Sequence, residues 1–141
     1  MKLYGIDLRL LGHRNWIVAA DMAFPLMTHP GIRTQFVDED LPAVAEKVAR
    51  AIESQPHVRA KVYRDAEIAV LGSENWAARF QPALVPHGDL LLRLDETAKL
   101  YPVYVIKTRH CRAYTSVFFE LDCGYWSDEK ERDLRNRMRN R

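Results

Sequence analysis

Three features of the chain predict an α/β sandwich, a single domain whose mostly parallel central sheet is flanked by helices. Residues 16–20, Trp-Ile-Val-Ala-Ala, form an unbroken apolar run of strand length. Strands buried on both faces belong to parallel sheets covered by helices. Residues 40–54 carry apolar side chains at helical spacing. Strand-like and helix-like segments then alternate to the end of the chain, the pattern of helices layered on a sheet.

The chain has 141 residues, enough for one domain with a real core, and its 48% hydrophobic and 28% charged content is that of an ordinary globular protein. We divide it into a body, residues 1–126, and a charged helical extension, residues 127–141. The extension holds six basic residues against four acidic ones and so carries the whole net charge of +2. A neutral body argues against nucleic-acid binding as the main task.

Residues 6–11 suit either a short helix or an extended lead-in. After the apolar run, Asp21 leads to Phe24-Pro25, where proline ends the strand ladder. His29-Pro30-Gly31 reads as a loop. In residues 40–54, Asp40 is a suitable N-cap, Pro42 lies in the first turn, and Leu41, Val44, Ala45, Val48 and Ile52 form one stripe. Residues 58–63 alternate apolar with polar, as a half-exposed strand does, and His57 before them reads as a surface residue. Residues 66–71 fit a strand or a short helix. Residues 74–80 read as a short helix capped by Ser73, with Trp76 and Phe80 on one face. Pro82 and Pro86-His87-Gly88 enclose an expected loop. Leu90-Leu91-Leu92 is expected to be a central strand, with a short helix opening at Asp95. Residues 103–106 and 117–121 are the last strands, and the polar turn at 107–114 leaves no room for a crossover helix. One antiparallel or mixed pairing is therefore expected near the end of the sheet. In the extension, Ser127 caps a helix whose acidic first turn and basic last turn both suit the helix dipole.

No apolar run approaches the length of a membrane span, and the N-terminus lacks the pattern of a signal peptide. A cytoplasmic location is expected, with Cys111 and Cys123 as free thiols. No CxxC or finger spacing points to zinc, and no Gly-rich phosphate loop, HExxH or nucleophile elbow points to another cofactor or metal.

His13 and Asp21 stand out because they bracket the buried strand. A five-residue strand is roughly 17 Å long, so the two should not touch within one copy. In open sheets ligands gather beyond the carboxyl ends of the strands, where Asp21 lies.

Leu11-Gly12-His13, the eight-residue step to Asp21, and Phe24-Pro25 beyond it resemble the opening signature of the D-ribose pyranase and L-fucose mutarotase family. Residues 105–119, VIKTRHCRAYTSVFF, resemble that family's last sheet segment, where a Val-Ile strand, a polar turn and Tyr-x-Asn before an apolar strand supply sugar contacts. The resemblance spans most of residues 12–124. It implies a single α/β domain assembled into ring-like homo-oligomers, acting on a monosaccharide without a cofactor. Three departures stand against it: Ser116 replaces the family's Asn, the segment before His13 is shorter, and a further histidine or aromatic of the family falls near Leu92 and Arg93.

Opening a sugar hemiacetal requires removal of the anomeric hydroxyl proton and delivery of a proton to the ring oxygen. Histidine has the side chain best matched to this at neutral pH. His13 is therefore the candidate acid/base, with Asp21 orienting it or accepting from sugar hydroxyls. Tyr114 offers a ring face and a hydroxyl, and Ser116 a second polar contact. Arg93 is a further candidate contact, and His29 is either a contact over the site or a solvated loop histidine. The expected function is interconversion of ring forms or anomers of a pentose or 6-deoxyhexose. The alternative is a sugar-binding or regulatory relative without turnover, which the change to Ser116 favours.

Overall fold

The computed structural model describes residues 2–72 and 74–140. An N-terminal hairpin of β1 (Lys2–Leu3) and β2 (Ile6–Asp7) runs into a 3-10 turn at Leu8–Leu10, so the lead-in is extended first and helical second. The remaining elements follow in the order β3 (Trp16–Ala20), β4 (Ile32–Phe36), α1 (Leu41–Glu53), β5 (Val58–Asp65), α2 (Ile68–Leu71), a 3-10 turn (Asn75–Phe80), β6 (Ala83–Val85), α3 (His87–Ala98), β7 (Val103–Lys107), β8 (Val117–Cys123) and α4 (Asp128–Arg139).

One six-stranded sheet has the order β4-β7-β3-β8-β5-β6. Its strands are parallel except β8, which runs antiparallel to both β3 and β5. The antiparallel strand expected near the end of the sheet thus lies inside it, and β7 and β8 are separated by β3. The short turn between them does not form a hairpin; it carries the chain over the end of β3.

The apolar run of β3 is buried throughout because the sheet is covered on both faces. Ile17 and Ala19 face a core built with Leu41, Val44, Ala45, Val48 and Ile52 of α1. Trp16, Val18 and Ala20 face a second core with Leu90, Leu94 and Ala98 of α3. This is the period-two alternation of a strand, with an apolar partner on each side. The stripe on α1 is the expected one, and the Asp40 carboxylate accepts from the Leu41 amide at 3.0 Å.

The region around α3 corrects the sequence reading. Leu90-Leu91-Leu92 is helix, not a central strand, and Asp95 lies within the helix rather than opening it. Leu90, Leu94 and Ala98 recur every four residues and bury one face, while Leu92 is 65% exposed. Pro86-His87-Gly88 is not a loop: β6 ends at Val85, Pro86 is the N-cap and His87 begins the helix. Residues 68–71 are helical, and 75–80 form a 3-10 turn; its expected cap, Ser73, lies outside the described residues. His57 is partly buried rather than on the surface, its Nε2 donating to the carbonyls of Leu8 and Leu11, both at 3.0 Å.

The extension is the expected helix, with Ser127 Oγ accepting from the Lys130 amide at 3.1 Å. None of its described residues is buried. No helix among the described residues is long and apolar enough to cross a membrane.

Candidate functional site

The carboxyl ends of β3, β5 and β6 and the start of β8 meet on one side of the sheet. There residues 21–25, His87 and residues 111–114 line a cleft of about 510 Å³. The position is the one expected for ligands of open α/β sheets.

Asp21 sits one residue past β3 and is 9% exposed. Ser116 Oγ donates to its Oδ1 at 2.6 Å and accepts from its backbone amide at 2.9 Å. Ser116 is fully buried and is not part of the cleft wall, so the structure makes it a clamp on Asp21 rather than a surface offered to a ligand. With Oδ1 held, Asp21 is itself among the residues that line the cleft.

Tyr114 lines the same cleft and is 37% exposed. Its φ of 61° is in the left-handed region that bulky residues avoid. The turn is pinned around it: Thr115 Oγ1 donates to the Arg112 carbonyl at 2.7 Å, and Arg64 donates to the Thr115 carbonyl at 2.9 Å. At the other end of the loop, the Met22 amide donates to the His110 carbonyl at 2.8 Å. The two loops that carry Asp21 and Tyr114 are thereby joined.

His87 is the site residue that the sequence reading missed. As the first residue of α3 it packs edge-on against Tyr114, with ring centroids 5.5 Å apart, and against Phe24 at 6.4 Å. Its backbone amide donates to Glu67 Oε1 at 3.0 Å, and its Nδ1 lies 3.0 Å from Asp65 Oδ1. Asp65 is wholly buried at the end of β5. Burial pushes its carboxyl above the usual range, against the lowering effect of His87. The signal for His87 was present in the spacing of Leu90, Leu94 and Ala98, which extends back to Pro86 as a helix start. The turn chemistry of Pro-His-Gly hid it.

The other candidates lie elsewhere. His13 is at the opposite end of β3, in a separate cleft of about 570 Å³ shared with Arg59, Lys61, Asp122, Trp126 and Glu131. Its Nδ1 is 2.8 Å from Asp122 Oδ1, and its Nε2 accepts from Arg14 Nε at 3.1 Å. Burial opposes ionisation of Asp122, but the Cys123 amide, His13, Arg59 and Lys61 outweigh it and hold the carboxyl below its usual range. Arg93 lies over the Tyr63 ring at 5.4 Å, outside the Asp21 cleft. His29 is also outside it, its Nδ1 accepting from the Gly31 amide at 2.9 Å. The structure thus brings Asp21 and Tyr114 together, with Ser116 behind them, and does not bring His13, His29 or Arg93 to them within one copy. Among the described residues, no group of three or more His, Cys, Asp or Glu side chains is placed to hold a metal ion. Cys111 and Cys123 are free thiols.

No protein-family model and no curated protein sequence matches the chain. Among solved structures, the chain is similar to Bacillus subtilis RbsD complexed with D-ribose, with a TM-score of 0.56 and 24% sequence identity over 82% of this chain and 87% of that one. The likeness is one of fold, and the six-stranded, mostly parallel sheet flanked by helices is the RbsD-like α/β fold.

Proposed function

We propose that the Asp21 cleft binds a monosaccharide and interconverts its ring forms or anomers by acid/base ring opening. The observation that carries this reading is the convergence of a clamped carboxylate, an imidazole and a half-exposed tyrosine on one cleft of an RbsD-like fold. Asp21 accepts from sugar hydroxyls as a charge-assisted acceptor. Tyr114 packs its ring on the apolar face of the sugar, and His87 takes the anomeric proton through Nε2. His13 is the second proton carrier and comes from a second copy of the chain, because within one copy it is at the far end of β3. The active form is therefore a homo-oligomer with shared sites, ring-like as in the family resembled. Free Cys111 and Cys123 accord with a reducing, cytoplasmic compartment.

Exchange NMR on anomeric mixtures of D-ribose and of 6-deoxyhexoses tests this reading. His13→Ala and His87→Ala should each fold and lose about 10²-fold or more of the acceleration. Mixed and reassembled, the two variants should regain activity, because some sites then combine His87 of one copy with His13 of the other. No recovery on mixing, or a monomer that retains activity, would refute the shared site. Sugar binding without accelerated exchange in the wild type would favour the non-catalytic relative, a reading supported by Ser116 being buried behind Asp21 instead of reaching the cleft.

A further inference from the structure

Asp65 has no role in the scheme above, and its surroundings are costly for a carboxylate. It is wholly buried, and its Oδ2 has no hydrogen-bond partner among the described residues. A buried charge with an unpaired oxygen is one of the more expensive arrangements in a protein interior. The neighbouring charges offset only part of this cost. Glu67 and Asp21 repel it, and adjacent Arg64 attracts it through space but donates its hydrogen bonds to the carbonyls of Glu74 and Thr115 at 3.0 and 2.9 Å. The hydrogen bond it makes is to His87 Nδ1, at 3.0 Å. His87 in turn is bounded by Asp65, by Glu67 at its backbone amide, and by the uncharged rings of Phe24 and Tyr114.

From this geometry we propose that Asp65 is a positioning residue for His87. It accepts the Nδ1 proton, so that Nε2 faces the cleft as the unprotonated, basic nitrogen, and it balances the imidazolium formed when Nε2 takes a proton. Both effects are those of a carboxylate behind a catalytic imidazole. The inference rests on the reading of the cleft as a ring-opening site. In that step the anomeric O–H breaks and Nε2–H forms, the hydroxyl electron pair becomes the carbonyl bond, and the ring oxygen leaves C1 with its electron pair and takes a proton from His13 of the second copy. Closure reverses each transfer.

The test is nitrogen-15 NMR of the histidine side chains in the full-length protein, with His87→Gln used for assignment, alongside D-ribose exchange rates across pH. In the wild type, neutral His87 should be protonated on Nδ1 and bare on Nε2. Asp65→Asn keeps the shape but not the charge, and its amide can donate as well as accept. It should mix the two tautomers and slow exchange at least about tenfold while D-ribose binding changes much less. A wild-type His87 protonated on Nε2, or an Asp65→Asn variant with unchanged tautomer and exchange rate, would overturn the proposal. If the variant does not fold, the wild-type spectrum alone decides the tautomer. A locked Nδ1–H tautomer in a protein that accelerates no sugar exchange would uphold the positioning role and count against the ring-opening reading alone.

Discussion

Replacing Ser116 with alanine removes one oxygen atom and leaves the volume of the site nearly unchanged. The hydroxyl makes two bonds to Asp21: it donates to Oδ1 at 2.6 Å and accepts from the backbone amide at 2.9 Å. A hydrogen bond to a charged group contributes about 1.5–3 kcal/mol, and a neutral one about 0.5–1.5 kcal/mol. Both Asp21 and Ser116 are buried, so water can replace these bonds only in part. Ser116→Ala should therefore destabilise the fold by about 2–4 kcal/mol, a large share of the roughly 5–15 kcal/mol typical of a domain. Urea unfolding followed by circular dichroism measures this as a lower midpoint at unchanged slope. Coupling is isolated by a cycle with Asp21→Ala, which removes the carboxylate bond but keeps the backbone amide one, so that removing the hydroxyl should then cost only about 0.5–1.5 kcal/mol. A Ser116→Ala midpoint within about 0.5 kcal/mol of wild type, or strict additivity in the cycle, would refute the clamp.

Two further outcomes follow from packing. A β-carbon on Gly31 would lie 2.3 Å from the Ala98 carbonyl oxygen at the end of α3, a backbone atom that cannot swing aside, so Gly31→Ala should cost about 1–3 kcal/mol or more in the same unfolding assay. A variant as stable as wild type would mean that α3 shifts freely. Deleting residues 128–141 removes a helix with no buried residue, joined to the body through Asp128 with the half-exposed Arg59 and Lys61 and through Glu131, which accepts from Trp126 Nε1 at 2.9 Å at the edge of the His13 cleft. Exposed pairs of this kind contribute little, so the melting temperature should move by less than about 2 °C while sugar exchange persists. Loss of exchange with assembly unchanged would mean that the extension acts at the His13 cleft.

How much could be read in advance depended on the range of the interaction. The sequence alone determined β3, α1 and α4, because each is specified by neighbours within a few residues. Five apolar residues in a row make β3 a strand with two covered faces, Asp40 caps α1, and Ser127 caps α4. It also pointed to Asp21, through its place one residue past the apolar run, and to Tyr114, through the family resemblance of the turn before β8. Leu90-Leu91-Leu92 misled because an apolar triplet has no period of its own. The helix is visible only when Leu94 and Ala98 are counted with Leu90 as one face, and that face is defined by the sheet it covers. Ser116 was legible as a polar residue but not as a clamp, since its partner lies 95 residues away and meets it because β8 runs antiparallel beside β3. His87 and Asp65 were hidden for the same reason. Their contact joins the start of α3 to the end of β5 across 22 residues, and nothing in either segment marks it until the parallel pairing of β5 with β6 brings both to one end of the sheet. Burial then gives the pair its character, because the low-dielectric interior that makes Asp65 costly is created by the packed chain as a whole.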